Sequence, residues 1–242
     1  MRSARLGRGV FAAIVLAAFL VGVFAQRGGL VDSIVKYRGD IVFLTQQHMQ
    51  LVAISGGLAI AVGVPLGLWL SRPVMRSAAE SIMQALNLGS TIPTLAVLAL
   101  AMSLLGIGVV PAIFGLWVSS LLPIVRNTYA GMLGVPVYLV EAANGMGMRP
   151  MQILQAVEVP NALYVIFAGI RTALAINVGT APLAFLIGGG GLGELIFTGI
   201  DLNEPGMMLA GALPTALLAV LVDFLVGVLA FWVVPRGVNP LR

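Results

Sequence analysis

The sequence has few of the groups that enzyme chemistry or a water-soluble surface requires. Among its 242 residues there is no cysteine, a single histidine (His48), and only 9% are charged. The absence of thiols excludes disulfides, thiolate nucleophiles and cysteine-bound metals. A lone histidine gives no metal-ligand spacing, so we predict no metal site. No Gly-x-x-x-x-Gly-Lys-Ser/Thr segment occurs, so we expect neither enzyme activity nor a cofactor in this chain.

Hydrophobic residues make up 60% of the chain, too many for a water-soluble domain. We therefore predict an all-α, polytopic membrane protein. A spanning helix needs about 20 largely apolar residues, and the sequence offers six candidates, at residues 10–25, 49–70, 91–105, 109–129, 162–187 and 207–234. The weakly polar stretch 77–90 continues the third candidate or enters it through a kink. Without repeats or linkers, we divide the chain into an N-terminal helix and external loop (1–48), one transmembrane domain (49–235) and a cytoplasmic tail (236–242).

The positive charges lie at the ends of the apolar runs, so the net charge of +4 is a topology signal and not evidence for a nucleic-acid partner. With six crossings, both termini lie on the arginine-rich side. The positive-inside rule places that side in the cytoplasm, which predicts a multi-pass protein of the inner (plasma) membrane. Those arginines are Arg2, Arg5, Arg8, Arg72, Arg76, Arg126, Arg149, Arg236 and Arg242.

The first apolar run has a second interpretation. Its arginine-rich start, its apolar core and the small Ala25 before Gln26 also fit a cleavable signal peptide. Cleavage there would leave five spans with the same orientation, and sequencing the mature N-terminus would decide between the two.

The most informative pattern lies in the loop before the fifth candidate span. Glu141-Ala142-Ala143 is followed after three residues by Gly147, and then by Val157-Glu158-Val159-Pro160. The small alanines allow another helix to approach closely. Gly147 permits a turn that residues with a Cβ resist, and Pro160 fits the start of the next helix.

This pattern resembles the EAA loop of the MetI-like membrane permeases of binding-protein-dependent ABC importers. The resemblance implies a short cytoplasmic coupling helix that fits a groove on a separate ATPase subunit, which would use the ATP. The residues that would make this contact are Glu141, Ala142, Ala143, Gly147, Val157 and Pro160. The alternative is an amphipathic helix that lies on the membrane surface without a partner.

Further segments look like the permeases of osmoprotectant importers for glycine betaine, carnitine and choline. They include Ile92-Pro93-Thr94-Leu95-Ala96, Gly169-Ile170-Arg171-Thr172-Ala173 and the glycine run after Ile187. The resemblance implies three kinds of partner besides membrane lipid: ABC ATPase subunits, a second permease copy or paralogue, and an extracytoplasmic solute-binding protein. With only three Trp and four Tyr, the chain has little material for an aromatic cage around a quaternary amine. We therefore expect the binding protein to recognise the solute.

Two other functions stay open from the sequence. An importer for an amino acid such as methionine would share the loop and the helix count. A stand-alone channel or secondary transporter would commonly show repeated halves, and none is visible.

Several residues inside the predicted spans are candidates for a special role. Arg171 and Asp223 are costly charges at similar depth, so we predict that they form an intramembrane ion pair. His48 is expected at the external mouth of the second span. Gly188-x-Gly190-x-x-Gly193 follows a span instead of a strand, which favours an external glycine hairpin over a dinucleotide site. Residues expected to line the transport pathway are Pro93, Trp117, Asn127, Tyr129 and Asn177.

Overall fold

The computed structural model describes residues 30–239, and all regular secondary structure in that range is helical. This confirms the predicted all-α class. The α-helices are α1 (Leu30–Lys36), α2 (Arg38–Leu70), α3 (Arg76–Gly89), α4 (Thr94–Leu105), α5 (Val109–Leu133), α6 (Val137–Gly145), α7 (Pro150–Ile153), α8 (Val159–Thr180), α9 (Gly193–Asp201) and α10 (Pro205–Val233). Candidate span 10–25, its interpretation as a signal peptide, and residues 240–242 of the predicted tail lie outside the described residues.

Four helical stretches within residues 30–239 are long and apolar enough to cross a membrane. They are Arg38–Leu70, Val109–Leu133, Pro150–Ile187 and Pro205–Val233, and a bent helix pair makes five if it counts as one span. Large apolar side chains stay exposed on the last of them, such as Leu217 at 70% and Phe224 at 62%. Such a surface needs lipid or another apolar partner. The chain is therefore a multi-pass membrane protein.

The third predicted span, 91–105, is not a straight continuation of the stretch 77–90, and the kinked entry is the alternative that the structure shows. Helix α4 has 12 residues, or about 18 Å, against a hydrocarbon core of about 30 Å. Helices α3 and α4 meet at an angle of 96°. The break falls before Pro93, because a proline disfavours helical geometry in the residue that precedes it. Helices α3 and α4 are therefore either the two halves of one broken span or a re-entrant pair.

A stripe of small residues on α2 brings this helix close to α5. Ala59, Gly63 and Gly67 are all buried. A Cβ on Gly63 would lie 2.9 Å from Ile124, and a Cβ on Gly67 would lie 2.9 Å from the Val125 carbonyl oxygen. Only small side chains allow two helices to approach this closely. The stripe therefore packs inside the subunit.

Helix α8 packs against α5 and also contacts α2 and α10. A Cβ on Gly169 would lie 3.0 Å from the Pro123 carbonyl oxygen, and one on Gly131 would lie 3.2 Å from the Ala162 carbonyl oxygen. The order α2, α5, α8, α10 thus forms the body of the protein. Its buried apolar core lies between α2, α5 and α8 and includes Leu116.

A glycine hairpin closes the end of the body that lies opposite α6. It follows a 3₁₀ helix at Ala181–Ile187, and Gly190 and Gly191 adopt φ values of +77° and +84°, which favour glycine. The Gly191 N–H donates to the Gln47 side-chain oxygen at 3.2 Å. The predicted hairpin is present, and its backbone lies directly against α2.

Candidate coupling and transport sites

A short helix, α6, carries the Glu-Ala-Ala pattern between α5 and α8. It begins after Pro136 and ends at Gly145. Glu141 and Ala142 are exposed, whereas Ala143 is buried at 1% exposure. Next to this exposed face, Tyr138 and Met146 are 68% and 74% exposed. Helix α6 therefore presents a carboxylate and large exposed side chains, a surface to which a partner protein could bind.

Gly147 terminates α6 in the left-handed backbone region, with φ +76°. Its N–H donates to the Asn144 carbonyl at 2.9 Å, and the Met148 N–H donates to the Ala143 carbonyl at 3.1 Å. These two bonds form the Schellman motif that satisfies the last carbonyl groups of a helix. No neighbouring atom of the described residues lies within 4 Å of the place where a Cβ would be. Backbone conformation, and not crowding, therefore requires glycine here.

Helical backbone already restarts at Pro150, ten residues before Pro160, so the helical run is longer than predicted. Pro160 does lie in the first turn of α8, but a π-helical turn at Leu154–Glu158 joins α8 to α7. In a regular α-helix, Pro160 would clash with the Ala156 carbonyl. The wider π turn relieves that clash, and it contains the half-buried Val157.

An ion pair joins this π turn to the end of α2. The Arg72 guanidinium donates through Nη1 to Glu158 Oε2 at 2.6 Å. It also donates through Nε to the Leu68 carbonyl at 3.3 Å and through Nη2 to Ser71 Oγ at 3.1 Å. The Arg72 and Glu158 side chains are 29% and 16% exposed. The pair is thus partly shielded and anchored at both ends.

Sequence reasoning missed the pairing of Arg72 with Glu158. The two residues are 86 positions apart, and Arg72 entered only as a positive charge at the end of an apolar run. No local spacing signals a contact over that distance.

Arg171 and Asp223, predicted as an ion pair, are brought together between α8 and α10. The guanidinium donates through Nε and Nη2 to the two carboxylate oxygens, both at 2.5 Å. This two-point geometry is the strongest arrangement for such a pair. The side chains keep 47% and 37% exposure, next to a cavity of about 320 Å³ that is lined in part by Tyr164 and Phe231. A role of this ion pair in structure or in transport stays a prediction.

The five residues predicted to line a pathway take part in separate contacts within residues 30–239. Asn177 is 1% exposed, and its amide donates to Ser55 Oγ at 2.9 Å and to Ser120 Oγ at 2.8 Å. It therefore links α2, α5 and α8 inside the protein. Pro93 caps α4, and the Asn127 amide donates to the Pro123 carbonyl of its own helix at 2.8 Å.

The two aromatic pathway candidates also make intramolecular contacts. Trp117 lies 5.6 Å from Phe114, measured between ring centroids. Tyr129 packs against the buried Leu70 and Ala79. A second cavity, of about 550 Å³, lies between α3, α4 and α5, and residues on either side of Pro93 line it. A role of these side chains in the pathway stays a prediction.

His48 lies inside the protein, which corrects its expected position at the mouth of a span. Helix α2 begins at Arg38, so His48 is about 15 Å along the helix from its start. Its side chain is fully buried. Its Nε2 lies 3.1 Å from the Val178 carbonyl, to which it donates when the proton is on that nitrogen. The residue is therefore an interhelical contact between α2 and α8.

A third ion pair lies at the opposite end of the body from α6. Lys36 Nζ lies 2.8 Å from Glu204 Oε1, and the Tyr37 hydroxyl donates to the same oxygen at 2.8 Å. The hydrogen bond with Glu204 raises the pKa of Lys36, and the bonds from Lys36 and then Tyr37 lower the pKa of Glu204. These contacts hold the residues that end α1 against the start of α10.

Comparison with known proteins gives a family match over most of the chain. The family of "binding-protein-dependent transport system inner membrane components" matches residues 63–236. The osmoprotectant import permease protein OsmY of Salmonella typhimurium is 51% identical over 220 residues, which cover 91% of each chain. The glycine betaine/carnitine/choline transport system permease protein OpuCB of Bacillus subtilis is 41% identical and covers 84% of this chain and 93% of its own.

The fold also matches a solved structure. An inward-facing conformation of the MetNI methionine ABC transporter contains a chain that superposes with a TM-score of 0.72 at 24% identity. The match covers 81% of this chain and 96% of that one. Together with the relatives, it confirms the resemblance predicted from the loop and the flanking segments.

Proposed function

The chain belongs to the family of inner membrane components of binding-protein-dependent transport systems, and we propose that it is the permease subunit of an ABC importer for osmoprotectants of the glycine betaine, carnitine and choline type. The observation that carries the solute class is the identity of 51% to an osmoprotectant permease over 91% of both chains. The second relative, named for the same solutes, agrees.

In this proposal, α6 is the coupling helix that docks on an ATPase subunit. Its exposed Glu141, Ala142 and Met146 would enter the groove of that subunit, and the Gly147 turn would set the angle of α6 to the membrane body. The chain would supply the passage and the coupling, and the ATPase would hydrolyse ATP. Closure of the ATPase subunits would then shift the permease from an outward-open to an inward-open state.

The remaining partners follow from the same assignment. An extracytoplasmic binding protein would deliver the solute at the end of the body that carries the Lys36–Glu204 pair. A second copy or a paralogue would pack beside this chain and complete the passage. Both termini would then lie in the cytoplasm, on the side of α6.

Neither alternative function gains support of its own. The match to the methionine transporter has 24% identity, so it reflects the shared fold and does not extend its solute to this chain. A stand-alone channel would leave the family membership and the exposed α6 without a role.

Uptake in cells tests the solute class. The permease would be produced together with its ATPase and binding protein in a bacterium that lacks its own osmoprotectant importers, with labelled glycine betaine outside at high osmolarity. We expect uptake that excess unlabelled choline or carnitine reduces and excess methionine does not. A strain without the ATPase serves as the control. Inhibition by methionine, with no effect of the quaternary amines, would contradict the proposal.

A further inference from the structure

We propose that the Arg72–Glu158 ion pair is the positioning contact that transmits the movement of the coupling segment to helix α2. The coupling segment is the stretch from α6 through the π turn, residues 137–158. This inference rests on the importer function proposed above. Neither residue belongs to the exposed face of α6, so both would act through the geometry of the elements that they join.

Glu158 occupies the junction between the coupling segment and a membrane span. The chain runs from α6 through the Gly147 turn into α7, then through the π turn into α8. Glu158 is the last residue of that π turn. A force applied to α6 therefore reaches α8 through the segment that ends at Glu158. Single π turns are rare and occur often at functional sites.

Arg72 fixes this junction to the end of a different span. It lies just past the C-terminus of α2, where helix carbonyl groups lack partners within the helix. Its bonds to Leu68 and Ser71 hold the guanidinium against α2, while the charge-assisted bond to Glu158 reaches the π turn. The ion pair is thus a direct bridge between the coupling segment and α2.

Helix α2 can carry a displacement across the whole body. It has 33 residues, or about 50 Å at 1.5 Å per residue. Its Gly63 and Gly67 pack tightly on α5. Near its opposite end, Gln47 accepts the hydrogen bond from Gly191 of the glycine hairpin. A shift of the α2 terminus at Arg72 would therefore also displace Gln47 and the hairpin that is bonded to it.

The test is the amount of glycine betaine transported per ATP hydrolysed, measured with the reconstituted complex of permease, ATPase and binding protein. Glu158→Gln and Arg72→Gln should lower this ratio about threefold to fivefold, the loss expected for a partly exposed pair, while ATP hydrolysis continues. The charge-swapped double variant should recover part of the ratio, because it restores the attraction but not the bonds of Arg72 to α2.

Two control variants remove charge elsewhere on the same side of the body. Glu80→Gln on α3 and Arg236→Gln after α10 change exposed side chains and should leave the ratio unchanged. A purely structural role of the bridge would lower transport and hydrolysis together and keep the ratio constant, which would overturn the inference. An unmodified complex that transports no betaine would instead refute the importer function itself.

A distance measurement gives a second readout in case the variants assemble poorly. Since the chain has no cysteine, spin labels can be attached uniquely at Val74→Cys and Gln155→Cys, both exposed positions. The distance between the labels should stay constant through the ATP cycle with the bridge intact, and should change in the Glu158→Gln background. The same distance behaviour in both backgrounds would contradict a positioning role.

Discussion

Replacement of Gly147 tests the coupling segment at its most restrictive position. The backbone φ of +76° costs a residue with a Cβ about 1–2 kcal/mol relative to glycine. Apart from Gly147 itself and its two chain neighbours, no atom of residues 30–239 lies within 4 Å of the added Cβ, so packing against other residues adds nothing to that cost. Gly147→Ala should therefore shift the turn population away from the observed geometry by a factor of roughly 5 to 30. Gly147→Leu carries the same penalty and adds a large side chain beside α6.

Uptake of labelled glycine betaine, normalised to the amount of permease in the membrane, is the assay. We expect reduced uptake for Gly147→Ala, no uptake for Gly147→Leu and partial recovery for Gly147→Asn, since asparagine tolerates the left-handed region better than alanine. Membrane insertion should be normal in all three, because the spans are untouched.

Gly145 provides a matched control two residues earlier. It is also exposed, a Cβ added to it would meet no atom of the described part of the chain within 4 Å, and its φ is not positive. Gly145→Ala should leave uptake near the unmodified level. Normal uptake by Gly147→Leu at normal expression would refute the docking role, and an equal loss in Gly145→Ala would show that backbone conformation is not the cause.

Three further predictions follow from the ion pairs and from the division of labour between subunits. Asp223→Asn should lower the free energy of unfolding of the purified protein, by up to about 3–5 kcal/mol if lipid or a partner subunit shields the pair. The charge swap of Arg171 with Asp223 should recover part of this loss. Single replacements that leave the stability unchanged would refute a stabilising role. The depressed pKa of Glu204 and the raised pKa of Lys36 predict a pH-dependent protection of the α1 amides, measured as their exchange rate relative to that of an unstructured peptide at the same pH. This protection should be constant between about pH 5 and 9 and should fall in acid as Glu204 becomes protonated. Glu204→Gln should remove that acid sensitivity, and a response that persists would assign it to other groups. Exchange of the binding protein for one of different specificity that still docks should change the transported solute. If the transported solute instead stays the same, and replacement of Trp117 changes it, the solute is recognised inside the membrane.

The helices and the coupling segment could be predicted because their signals are local. Apolar length alone located the long spans. The left-handed turn was expected at Gly147 because only glycine adopts that geometry without cost.

The features that sequence reasoning missed depend on contacts between distant parts of the chain. Arg72 meets Glu158 only because α2 ends beside the π turn. His48 is buried because its part of α2 packs against Val178 of α8 and against Gly191 of the glycine hairpin. The π turn at Leu154–Glu158 accommodates Pro160 inside a helical run that begins at Pro150, and the local sequence indicated only a helix start at Pro160.

Reconstitution in proteoliposomes tests the central claim most directly. Permease and ATPase would be inserted with ATP accessible to the coupling helix, and loaded binding protein would be supplied on the opposite side. We predict that labelled glycine betaine crosses the membrane only when ATP, ATPase and binding protein are all present, and that the purified chain alone hydrolyses no ATP. Betaine transport by the chain alone, driven by an ion gradient and indifferent to ATP, would contradict the account.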